Sequence, residues 1–123
     1  MEKPLLQSKI SARPAILFIL ALLLATILMG SWYLSQIPNP YIQEVLSLPG
    51  NLSRGEAIFQ ANCGVCHGLQ GMGNIGPSLQ AVPQRKSQTQ LIEQVISGKT
   101  PPMPKFQPNS QAMADLLSYL ETL

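Results

Sequence analysis

The sequence predicts an all-α protein in which a single membrane-spanning helix precedes one small helical domain. Three observations carry this expectation. Residues 15–34 (AILFILALLLATILMGSWYL) hold no charge. Beyond them, apolar residues recur at helical spacing and nowhere alternate as they do in a half-buried strand. The remaining domain, 50–123, is about 75 residues long, a size at which an apolar core alone rarely supplies more than about 3–5 kcal/mol. Some bound group is therefore expected to complete the fold.

The N-terminal part, 1–34, reads as a cytoplasmic N-terminus and transmembrane anchor. About 20 helical residues rising about 1.5 Å each cross the roughly 30 Å hydrocarbon layer. Lys3, Lys9 and Arg13 lie before or at the edge of the apolar run, and the first charge after it is Glu44. The positive-inside tendency then leaves the domain on the far side of the membrane. A cleaved secretory signal has a similar apolar length. However, no good Ala-x-Ala pattern follows between positions 28 and 36, and Trp32 and Tyr33 suit an interfacial belt. The segment 35–49, with Pro38, Pro40 and Pro49, reads as a short, semi-stiff linker.

Within the domain, Leu52, Ala57, Ile58 and Ala61 fall at helical spacing, with Asn51 or Ser53 as N-cap and Ser53 and Glu56 fitting a capping box. The stretch 67–83 carries Gly68, Gly71, Gly73 and Gly76 together with Pro77 and Pro83, which predicts an irregular loop. Leu91, Ile92, Val95 and Ile96 form the stripe of a second helix that starts after Ser87 and stops at Gly98. The prolines of 100–108 exclude a helix there. Met113, Leu116, Leu117 and Leu120 mark a last helix from about residue 111 to the end.

Cys63-Gly-Val-Cys66-His67 carries the chemistry. Two thiols about one helical turn apart match the spacing needed to add across the vinyl groups of a haem, and the next residue offers an imidazole to the iron. A thioredoxin-like redox pair belongs to a βαβ setting, which is absent from this pattern. Structural zinc needs four ligands, and the chain has neither a third cysteine nor a second histidine. One covalently bound haem c is therefore the expected cofactor.

His67 is the sole histidine, so a second imidazole ligand from this chain is excluded, which leaves methionine, lysine or an open site. Methionine is the leading sixth ligand. Met72 follows His67 too closely to pass readily to the other face of a porphyrin, and Met113 lies on the apolar stripe of the last helix, where methionine fills core. Met103, in Pro101-Pro102-Met103-Pro104, sits where fixed backbone angles hold a thioether with little entropy left to lose.

These residues make the domain similar to class I cytochromes c over nearly all of its length. Gly55 and Phe59 correspond to the small and aromatic residues of that family's first helix, and Leu116 and Tyr119 to the last-helix residues that cross them. The resemblance implies that the carbonyl of Pro77 receives the hydrogen bond of His67, and that His67 and Met103 are the iron ligands. The anchor together with GPSLQAV, QVISGKTPPMPKFQP and MADLLSYLE resembles, more narrowly, the cyanobacterial membrane-bound cytochromes cM. This implies electron transfer on the lumenal or periplasmic side of a thylakoid or plasma membrane, in photosynthesis or respiration, with a terminal oxidase or photosystem as partner.

An iron held by nitrogen and sulfur on both faces has no vacant position, so the expected role is one-electron exchange without a small-molecule substrate, and not enzymatic catalysis. Two other readings stand beside it: a haem-based gas or redox sensor, and a structural haem subunit of a membrane complex. In the domain Arg54, Arg85, Lys86, Lys99 and Lys105 nearly balance Glu56, Glu93, Asp115 and Glu121, which argues against nucleic acid as a partner. Lys99 and Lys105 bracket Met103, and with Arg85 and Lys86 they suit steering of an acidic redox partner.

Overall fold

An unbroken apolar run forms the first helix. The computed structural model describes residues 12–37 and 39–123, and every described element is helical or irregular, with no strand. Helix α1 (Ala12–Ser35) has 24 residues and is long and apolar enough to cross a membrane. Two of its side-chain hydroxyls bond within the helix, Thr26 Oγ1 to Leu23 O at 2.8 Å and Ser35 Oγ to Trp32 O at 2.6 Å. Neither of these two hydroxyls needs water as a partner, which suits a helix in a lipid layer. Lys3, Lys9 and Pro38 lie outside the described residues. The chain divides into two compact units, Met1–Ile37 and Pro38–Leu123.

The second unit begins with a departure from expectation. Where 35–49 reads as a linker, Pro40–Ser47 forms a helix, α2, whose Ile42 and Val45 are only 2% and 1% exposed. Asn39 caps it through a 3.0 Å bond from Tyr41 N, and Pro40 occupies the first turn, where its missing amide costs nothing. The prolines thus start a helix, and two apolar residues three apart draw it onto the domain core.

Helix α3 (Leu52–Asn62) starts at Asn51, whose side chain accepts from Arg54 N at 2.9 Å, so Asn51 and not Ser53 is the cap. The capping box forms instead at α5 (Gln88–Ser97), between Ser87 and Gln90. Gly98 ends α5 in the left-handed conformation, φ 55°. Asn109 caps the last helix, α6 (Ser110–Leu120). A four-residue helix, α4 (Gly64–His67), and a 3-10 turn at Val82–Gln84 complete the order.

The core lies where α3 crosses α6, with α5 and α2 closing it. Phe59 and Leu116 are fully buried, and each side chain of that size contributes about 1.5–3 kcal/mol. Phe59 meets Tyr119 with ring centroids 5.1 Å apart. At the crossing itself, a Cβ on Gly55 would overlap the carbonyl of Asp115. The side chain of Asp115, 2% exposed, binds the start of α3: it accepts from Asn51 N at 2.7 Å, from Arg54 Nε at 2.7 Å and Nη2 at 3.1 Å, and from Gln111 Nε2 at 3.0 Å. These bonds, that of Arg54 foremost, hold its carboxyl below the usual range against the opposing effect of burial.

Two outcomes follow from the crossing. The contribution of Asp115 is present above its unfolded pKa, near 3.8, and is lost as pH falls through the lower folded value. In thermal melts followed by circular dichroism, Asp115→Asn starts less stable at neutral pH and loses less on acidification than the wild type; equal acid losses would remove the carboxylate from this role. Gly55→Ala improves helix propensity by about 1 kcal/mol, yet the overlap with Asp115 should reverse the sign. Denaturant titration should show a net loss of about 1–3 kcal/mol.

Candidate haem-attachment site

The end of α3 sets the site. Cys63 N donates to Phe59 O at 2.7 Å, closing α3, and the chain re-enters a helical turn at once: Cys66 N and His67 N both donate to Cys63 O, at 3.2 and 2.9 Å. Both cysteines and the imidazole therefore project from one short turn that is tied directly to the core through Phe59. The thiols are free. Cys63 is half-buried and Cys66 exposed. Burial, helped by the neighbouring Cys66, pushes the Cys63 thiol up to about 11. A redox-active C-x-x-C pair needs the opposite shift, so the disulfide-exchange reading loses support.

His67 is buried, and its Nδ1 lies 2.8 Å from the carbonyl oxygen of Pro77. A carbonyl only accepts, so Nδ1 carries the proton and Nε2 keeps its lone pair for a metal. The loop 68–81 folds back to make this contact. Gly73 N donates to His67 O at 2.6 Å, Gly76 N to Cys66 O at 2.7 Å, and Leu79 N to Gly71 O at 2.7 Å. Gly76 leaves room for the ring: a Cβ there would stand 3.0 Å from His67 Cε1 and 3.1 Å from Nδ1. Gly73, at φ 94°, supplies the backbone turn that only glycine takes readily.

The methionines separate. Met113 is 1% exposed in the core, and Met72 is 68% exposed in the glycine-rich loop. Met103 is half-buried on the loop between α5 and α6, with its N–H on Thr100 O at 3.0 Å. Farther along that loop, Phe106 N donates to Val95 O at 2.9 Å, fixing it to α5. Gln94 on α5 directs its amide at Thr100 Oγ1, 2.8 Å, and at the sulfur of Met103, 3.7 Å. Gln94 is a site residue that the sequence reading missed; its one signal is a polar side chain bordering the Leu91 and Val95 stripe.

The donor set fits an iron porphyrin. Two free thiols one turn apart are available for thioether links, an imidazole has its other nitrogen already committed, and a thioether sulfur is held by a hydrogen bond. Among the described residues no group of three or more His, Cys, Asp or Glu side chains is placed to hold a bare metal ion.

Known proteins share the sequence and fold of this domain. The family described as "Cytochrome C oxidase, cbb3-type, subunit III" matches residues 50–120. A cytochrome c-553-like protein of Synechocystis sp. (strain ATCC 27184 / PCC 6803 / Kazusa) is 64% identical over 85 residues, covering 69% of this chain and 81% of that protein. The crystal structure of cytochrome cL from Hyphomicrobium denitrificans has the same fold, with a TM-score of 0.53 at 24% identity over 74% of this chain; the chain spans 55% of that protein's length.

Gly76→Val should force the imidazole away from Pro77 and cost about 1–3 kcal/mol of stability through overpacking. The expected result is a lower ratio of covalently loaded to total protein by mass spectrometry. An unchanged ratio and unfolding midpoint would mean that Gly76 is not needed beside His67.

Proposed function

Since this chain belongs to the class I cytochromes c, related to the cyanobacterial cytochromes cM, and carries a covalently bound c-type haem, we propose that it is a membrane-anchored carrier passing single electrons through an iron ligated by His67 and Met103. The carrying observation is the bond from His67 Nδ1 to Pro77 O beside the two thiols, because it prepares one nitrogen for the metal before any group is bound. When bound, the haem supplies a reversible one-electron exchange at iron, with no position open to substrate.

The residues of the chain do the rest. Cys63 and Cys66 would hold the haem by thioether links beside the end of α3. Pro77 keeps His67 in one tautomer and orientation, and makes the imidazole a better donor. Gln94 holds the sulfur of Met103 by hydrogen bond, so few conformations are lost when that sulfur binds iron. A thioether in this position favours the ferrous state relative to a second imidazole.

Arg85, Lys86, Lys99 and Lys105 are exposed, and the one ion pair among the described residues, Arg54 with Asp115, involves none of them. They remain available to steer an acidic partner. Helix α1 confines the carrier to a membrane and raises its effective concentration at membrane-bound complexes. The positive-inside tendency supports a domain on the lumenal or periplasmic side of a thylakoid or plasma membrane. The family description, which names an oxidase subunit, supports a terminal oxidase as acceptor, and the cM relationship supports a terminal oxidase or a photosystem.

The test is optical and potentiometric. Met103→Ala should abolish the ferric iron–sulfur absorption band, lower the reduction potential and open the iron to added ligands. A variant that keeps the band and the potential of the wild type would overturn the ligand pair.

A further inference from the structure

Helix α2 lies outside residues 50–120, the part matched by the family, yet it is bound into the same core. Its inward face is explained by Ile42 and Val45. Tyr41 is different, because its hydroxyl reaches across 67 positions of sequence to donate to the carbonyl of Pro108 at 2.9 Å. Pro108 immediately precedes Asn109, the cap of α6, and ends the loop that carries Met103.

This loop is held at identifiable points. On its α5 side stand the bonds from Gln94 to Met103 and from Phe106 N to Val95 O. On its α6 side stands Tyr41. The leg between Met103 and Asn109 contains Pro104 and Pro108, whose rings restrict the backbone; Phe106 N pins its middle to α5, and Tyr41 supplies the second hold at its α6 end, so that the leg that carries Met103 is fixed at two points. Pro108 has no N–H to contribute, and its half-buried carbonyl accepts the hydrogen bond of the Tyr41 hydroxyl.

Resting on the reading of Met103 as the sixth ligand, we propose that Tyr41 is a positioning residue: α2, the helix that follows the membrane anchor, braces the Met103 loop and so sets how readily the sulfur leaves the iron. The brace keeps the iron closed to added ligands and committed to electron exchange. A helix outside the residues matched by the family thereby takes part in ligand retention at the haem.

The experiment uses the haem-loaded full chain and imidazole as the probe. Imidazole binds ferric iron only when Met103 has left, so its apparent affinity scales with the fraction of open loop. Tyr41→Phe keeps the ring in place and removes one hydrogen bond; a typical net bond changes such an equilibrium about fivefold. The expected result is an apparent imidazole affinity about fivefold higher, while the ferric iron–sulfur band at rest is retained. Leu120→Ala, at the far end of α6, serves as the stability control: it lowers the unfolding midpoint and leaves imidazole affinity unchanged.

Imidazole affinity within twofold of wild type in Tyr41→Phe would overturn the brace. So would an equal rise in Leu120→Ala, since the effect would then follow global stability. Met103→Ala separates the two readings. If it retains the iron–sulfur band, the ligand assignment fails and the brace with it. If it loses the band while Tyr41→Phe binds imidazole as the wild type does, the brace alone fails.

Discussion

Where α3 and α6 cross, Gly55 lets the backbone carbonyl of Asp115 approach so closely that no side chain fits between them, and the carboxylate of the same Asp115 grips Asn51 and Arg54 at the start of α3. The crossing therefore fixes both the separation of the two helices and the position of one along the other. Phe59, one turn beyond Gly55, is seated against Tyr119, and its carbonyl takes the amide of Cys63. The attachment turn thus inherits its place from the core through a single hydrogen-bonded step. Its geometry depends on helix packing more than on the five residues of the motif.

From that turn outward, rigidity comes from backbone bonds in a loop without regular structure. Gly73 N on His67 O and Gly76 N on Cys66 O return the chain to the turn it has just left, and they carry Pro77 to the imidazole. On the other loop the order reverses: the backbone is stiffened by proline, and a side chain, Gln94, reaches out to the sulfur. Each proposed ligand is thus oriented by a partner that does not itself bind iron. Such partners keep a ligand in place through a change of charge at the metal, which favours electron transfer by limiting reorganisation.

The sequence made the attachment turn legible because spacing alone specifies its chemistry, and the helices legible because caps and apolar periods are local. Asn51, Ser87 and Gly98 mark real boundaries for that reason. The helix within 35–49 is not legible in the sequence because proline marks a local restriction, whereas the three-residue spacing of Ile42 and Val45 acts only once α6 is present to receive it. Ser53 and Glu56 fit a capping pattern that went unused, since Asn51 starts the helix earlier and is drawn to Asp115 across the fold. Gln94 is not marked in the sequence because its role is a contact between α5 and the loop after it, and no residue pattern records which polar side chain at the edge of a stripe will turn inward.

The sole ion pair among the described residues is consumed inside the seam between α3 and α6. Lys86, Lys99 and Lys105 lie on the loops outside it and owe nothing to folding through salt bridges. The charges proposed to steer a partner and the charges that hold the fold consequently lie on different parts of the molecule. A change of charge on those loops would alter which complexes the protein meets without loosening the seam between α3 and α6.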